Sequence, residues 1–121
     1  MTKEELKSRT KLFAIRTFKF INTLAKNKSV DVIAYQVLKS SSSVAANYRA
    51  VWRGKSNYDF LNKLKIVDEE ADETLFWLEF IKDLEIKCDK NELNYLMKEA
   101  DELVAIFSAG IKTIKAKNNN L

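Results

Sequence analysis

Arg49 and Arg53 stand four residues apart, with Lys55, Tyr48, Trp52 and Tyr58 around them. Residues at that spacing share one face of a helix, so the two guanidinium groups would project together. A guanidinium can grip phosphate through two parallel N–H groups, and an aromatic ring can stack on an unpaired base. The composition therefore suits RNA or single-stranded DNA. Tyr48 and Trp52 also fall on the expected inner face of their helix, which leaves the arginines and Lys55 as the exposed part. Lys3, Lys7, Arg9 and Lys11 would lie toward the same end if the first two helices pair antiparallel. The expected nucleic-acid-binding set is thus Lys7, Arg9, Lys11, Arg49, Arg53 and Lys55.

The cluster Asp68, Glu69, Glu70, Asp72 and Glu73 offers a different chemistry. Two carboxylates at a suitable separation could hydrolyse a glycoside or hold a divalent cation. Helical spacing scatters these five. Asp68 and Asp72 share one side, Glu69 and Glu73 another, and Glu70 sits beside Trp77. Solvation or ion pairing is the expected role. Folding hairpins about Lys28 and Lys55 would level Arg16 with Ser40 and Glu70, and Lys19 with Glu73, so ion pairs between the first and third helices are expected, within or between subunits.

The run Ser40 to Ser43 contains possible nucleophiles, but its adjacent candidate base, Lys39, would point away from them on a helix. Small side chains at Ser41, Ser42, Ala45 and Ala46 instead allow another helix to come close. Histidine is absent, which removes the commonest general base, the nucleophile–histidine arrangements and the Glu-x-x-His motifs of di-iron bundles. Cys88 is alone, so neither an intramolecular disulfide nor a cysteine cage for zinc can form. No catalytic, cofactor-binding or metal-ligating residue is expected, and the chain reads as a non-enzyme.

Positioning these groups falls to helices, since the chain has no proline and only two glycines among 121 residues. Leu6, Thr10, Phe13, Thr17, Phe20 and Leu24 recur at three- and four-residue spacing and predict a first helix over 3–26. Leu12, Ile15 and Phe18 lie off that stripe. Ser29 is the expected N-cap of a second helix with Val30, Ile33, Val37, Leu38, Ser41, Ala45, Tyr48 and Trp52 inward. Gly54 would end it in a left-handed conformation.

Ser56 with Asp59 forms a capping box for a third helix reaching about Lys87, with Phe60, Leu64, Val67, Ala71, Thr74, Leu78 and Ile81 as its seam. A fourth begins near Asp89, with Glu92 three residues on, and buries Leu93, Leu96, Met97, Ala100, Leu103, Val104, Phe107, Ile111 and Ile114. Short connections predict an all-α, antiparallel up-down-up-down four-helix bundle over 1–115 and a frayed or disordered tail over 116–121. Ile66, Trp77 and Leu84 form a second apolar line about 100° from the seam of the third helix, with Glu70 nearby and Phe80 further round. With Ile15, Phe18 and Glu73 they make the expected subunit interface.

The net charge of +4 conceals a split. Residues 1–55 carry twelve Lys/Arg against three Asp/Glu, whereas residues 56–121 carry nine against fourteen. Such asymmetry suits a nucleic-acid partner for the basic half, or halves or subunits that attract each other. No uncharged run approaches the roughly 20 residues needed to span a bilayer, and no apolar stretch resembles a secretory signal. A cytoplasmic location is expected.

The segments VAANYRA at Val44 to Ala50 and IVDEEADETLFWLE at Ile66 to Glu79 closely resemble a bacterial family. That family includes 23S ribosomal RNA intervening-sequence proteins and is related to accessory proteins of diversity-generating retroelements. The similarity extends from about Leu12 to Ile114. It implies a four-helix bundle assembled into a ring-shaped homopentamer, without catalytic activity, with RNA or DNA as a partner. An adaptor that docks a protein partner such as a reverse transcriptase is the alternative. Many members end their second helix with Glu-Gly shortly after the residue matching Asn47; this chain continues Tyr48-Arg49-Ala50-Val51 as far as Gly54.

Overall fold

In the computed structural model, which describes residues 1–119, the chain forms four helices: α1 (Lys3–Asn22), α2 (Lys28–Val51), α3 (Asn57–Asp83) and α4 (Lys90–Asn119). Each begins at a polar side chain that accepts an otherwise unpaired N–H of the first turn. Thr2 Oγ1 accepts from Glu5, Asn27 Oδ1 from Val30, and Ser56 Oγ from Asp59, at 3.1, 2.9 and 3.1 Å. Asp89 Oδ1 accepts from both Asn91 and Glu92. The expected Ser56 and Asp89 starts are present. The α2 cap is Asn27 rather than Ser29, because an amide side chain two residues earlier closes the turn first.

Four helix ends differ from expectation. Helix α1 stops at Asn22, with Thr23 as its C-cap, rather than near Lys26. Gly54 does not take the left-handed conformation, since α2 has already closed at Trp52. Its lack of a side chain matters for close approach: a Cβ there would lie 3.3 Å from Asp59 Cβ and 3.4 Å from Phe60 N. The left-handed residue is instead Glu85, φ 56°, after α3 has ended at Asp83 rather than Lys87. Glu85 N–H donates to Lys82 C=O and Ile86 N–H to Ile81 C=O, the paired bonds of a Schellman turn. At the other terminus α4 remains helical past Ala116 to Asn119; the rest of the expected tail, 120–121, lies outside the described residues.

Around the bundle α1 packs on α2, α2 on α3, α3 on α4 and α4 on α1, leaving α1/α3 and α2/α4 on the diagonals. Paired residues rise along one helix as they fall along its neighbour. Arg9 meets Glu99 while Arg16 meets Glu92; Ser40 meets Thr74 while Trp52 meets Phe60. Neighbours therefore run antiparallel. The full α1 stripe from Leu6 to Leu24 is buried, as are Leu64, Val67, Ala71, Thr74, Leu78 and Ile81 of α3. Phe107 of α4 meets Tyr48 of α2 across the centre, with ring centroids 5.7 Å apart.

Helix α2 is rotated slightly from expectation. Ser40, Val44 and Val51 are fully buried, whereas Ala45 is half-buried and Trp52 is 40% exposed. Ser40 and Ser41 supply the close packing expected of the serine run, and the Thr74 hydroxyl donates to Ser40 Oγ at 2.8 Å. Ser42 and Ala46 are outside.

Candidate nucleic-acid and subunit interfaces

The antiparallel order brings the start of α1, the end of α2, the start of α3 and the end of α4 to one end of the bundle. Arg49, Arg53 and Lys55 lie there, all exposed. Arg53, Lys55 and Lys63 border a shallow cleft of about 500 Å³ that also contains Ala50, Gly54, Asp59, Asn62 and Ile66. Helix α4 adds the exposed Lys112, Lys115 and Lys117. Its C-terminal part belongs at this end because Gly110 lies against Leu64, and Ser108 donates to Asp68 at 3.1 Å. Sequence reasoning missed these lysines and Lys63. The antiparallel placement of α4 beside the α2–α3 connection was the signal that could have found them.

Aromatic rings occupy the same end. Tyr58 is 72% exposed. Trp52 packs edge-on to Phe60 at 5.0 Å, and Lys3 sits over its ring at 5.0 Å. Tyr48, by contrast, belongs to the core, where burial pushes its phenol pKa upward. The basic and aromatic patch is therefore divided: Tyr48 packs inward, and Arg49, Trp52, Arg53, Lys55 and Tyr58 face outward.

Arg9 does not belong to the free basic surface. Its Nε donates to Glu99 Oε2 at 2.7 Å, and its Nη2 donates to Glu99 Oε1 and Glu102 Oε2, each at 2.6 Å. Those hydrogen bonds raise its pKa further, against the opposing effect of burial. Arg16 makes the corresponding contact one level along. Its Nε donates to Glu92 Oε2 at 3.0 Å, and its guanidinium lies 3.5 Å from the Tyr95 ring centroid. The arginines of α1 thus pair with α4. The expected pairing of α1 with α3 within one chain does not occur, because those helices are diagonal.

Glu70 instead lies near Ser43 and Lys39 of α2. Burial, reinforced by Glu73, raises its carboxyl pKa, and burial likewise raises that of Asp68. Among the described residues, no three His, Cys, Asp or Glu side chains converge in a metal-binding group. Burial raises the Cys88 thiol pKa, so the thiol is less readily ionised.

Lys7 and Lys11 border another feature, a groove of about 720 Å³ between α1 and α2. Ala14, Ile15, Phe18, Ala45 and Ala46 provide its apolar surface, while Lys7, Lys11, Lys19 and Arg49 supply cations. Three residues expected to meet nucleic acid, Lys7, Lys11 and Arg49, are thus joined to two expected at a subunit interface, Ile15 and Phe18. Their exposures are 42% and 38%. The rest of the expected interface lies on α3 and its C-cap: Ile66, Phe80 and the capping Leu84 are exposed, Glu73 is exposed, and Glu70 and Trp77 are half-buried. Phe76, absent from the expected set, is 51% exposed and stacks edge-on to Trp77 at 5.0 Å.

Comparison with known proteins places this geometry in a family. The family model described as 23S rRNA-intervening sequence protein matches residues 3–109. A crystal structure from Bacteroides thetaiotaomicron, described as a protein of unknown function from the S23 ribosomal protein family, is 28% identical with a TM-score of 0.82. The match covers 93% of this chain and 99% of that one. No curated protein matches. The expected family and all-α bundle are both found, and the chain belongs to the 23S rRNA-intervening sequence protein family.

Proposed function

We propose that this protein is a non-catalytic, homo-oligomeric scaffold that binds RNA at the basic end of its bundle. The observation that carries the RNA reading is that Arg53, Lys55 and Lys63 border one cleft at the bundle end, and that this end also holds the exposed ring of Tyr58 and the exposed Lys112 and Lys115 of α4. Cations from three parts of the chain can neutralise phosphates, and an exposed ring offers a base a stacking surface. Arg49 and Trp52 extend this surface along α2. Arg9, locked to two carboxylates, contributes no free charge.

The apolar stripe of α3 and the Ile15–Phe18 pair favour self-association, with a pentamer as the assembly implied by family resemblance. No helix among the described residues is long and apolar enough to cross a membrane, and an RNA partner fits a cytoplasmic protein. Fluorescence anisotropy with a labelled single-stranded RNA tests the RNA reading. Arg53→Glu with Lys55→Glu should weaken binding at least about tenfold by removing two phosphate contacts and adding repulsion. Unchanged affinity would reject this end as the RNA surface.

A further inference from the structure

Two stripes of this chain match each other in chemistry and spacing. Along the groove side of α1 run Lys7, Lys11, Ile15 and Phe18. Along the outer flank of α3 run Glu69, Glu73, Trp77 and Phe80. Both series follow the same spacing of four, four and three residues, so each occupies one helix face. Two cations then two apolar groups stand against two anions then two aromatics.

We propose that the α3 stripe of a second copy docks in the α1/α2 groove, with Lys7 and Lys11 against Glu69 and Glu73, and Ile15 and Phe18 against Trp77 and Phe80. This deepens the oligomeric reading above and rests on it. Helices α1 and α3 point the same way, since both are antiparallel to α2. Copies rotated about an axis parallel to the bundle keep that direction, so the two stripes run parallel and in register.

Heights within the bundle agree. Lys3 over Trp52 and Trp52 against Phe60 set one estimate of level; Arg9 with Glu99 and Asp68 with Ser108 set another. With about 1.5 Å of rise per residue, these bracket Lys7 between about Leu64 and Leu75 on α3, a span centred near Glu69.

The two surfaces differ, so the contact is head-to-tail. They lie on adjacent faces of the bundle, roughly at right angles. Repetition by rotation therefore closes a small ring of about four or five copies and does not extend a filament. Self-complementarity in both charge and apolar character favours a second copy over RNA as the occupant, because RNA would satisfy the lysines and leave Ile15 and Phe18 without an apolar partner.

Charge exchange tests the assignment. Variant one carries Lys7→Glu and Lys11→Glu; variant two carries Glu69→Lys and Glu73→Lys. Light scattering at low salt should find the wild type oligomeric and each variant a monomer of one 14.0 kDa chain. Mixing the variants should restore association between unlike copies, since the acidic groove of one accepts the basic stripe of the other and the reverse contact retains its native charges. Unlike copies must alternate, so mixing yields open chains or even-numbered rings, and an odd ring re-forms only in the fourfold chain. A chain bearing all four substitutions should also assemble.

Variants that stay oligomeric, or fail to assemble on mixing and in the fourfold chain, overturn the docking mode while leaving the oligomeric reading intact. A monomeric wild type overturns both. Loss of RNA binding by variant one with its assembly unchanged would make the groove an RNA site and also overturn the proposal.

Discussion

Arg9 and Glu99, ninety residues apart in sequence, form a two-point contact that fixes α1 against α4. Their side chains are only 21% and 11% exposed, and Glu102 joins the same guanidinium. Geometry of this kind gives the pair directional specificity as well as attraction. It also explains why one arginine of the basic half does not contribute to the free surface.

Removing one partner should leave the other charge poorly solvated. Arg9→Met is expected to cost about 2–3 kcal/mol in urea unfolding, below the full penalty for a completely buried pair because some water reaches the site. Arg9→Met with Glu99→Leu should recover most of that loss. A change smaller than about 0.5 kcal/mol in the single variant would show that the pair contributes little.

Glu85 gives a prediction of opposite sign. A residue with a Cβ in left-handed backbone is disfavoured by about 1 kcal/mol, whereas glycine enters that conformation freely. Glu85→Gly should therefore stabilise the protein by about 0.5–1 kcal/mol, less the extra freedom glycine gives the unfolded chain. Thermal unfolding provides the check. A lowered midpoint would contradict the strain assignment at the Schellman turn.

Stability should depend on pH through Glu70. Its folded pKa is raised above the ordinary 4.5, first by burial and then by Glu73. In that window the folded chain retains a proton that the unfolded chain has released, so this group's contribution to stability falls as pH rises from 4.5 through the raised value. Asp68 acts in the same sense from 3.8 upward. Urea midpoints across this range should decline less in Glu70→Gln than in wild type. An identical slope would contradict the assignment.

The buried face of α1 was legible because three- and four-residue spacing leaves little choice about which side is apolar. Helix ends were less legible. Asn27 and Ser29 are both competent caps two residues apart, and one side-chain hydrogen bond decides between them. Charge partners were least legible of all. Hairpin lengths level Arg16 with Glu70, but only the arrangement of helices in cross-section puts α3 on the diagonal and Glu92 within reach. Nothing in the local sequence distinguishes Lys112 and Lys115 from other lysines; antiparallel packing alone sets them at the end that carries the α2–α3 connection. By sequence Ile15 and Phe18 suit a subunit interface and Lys7 and Lys11 suit nucleic acid; the groove brings all four together.

The central claim is tested most directly by the salt dependence of single-stranded RNA binding. Neutralised phosphates release counterions, so the logarithm of affinity should fall linearly with the logarithm of salt concentration, by about 0.7 for each phosphate contacted. Wild type should show a slope corresponding to several contacts, and Arg53→Ala with Lys55→Ala should reduce its magnitude by about 1.4. A wild-type protein that shows no salt-sensitive binding, or a double variant with an unchanged slope, would contradict RNA binding at the basic end.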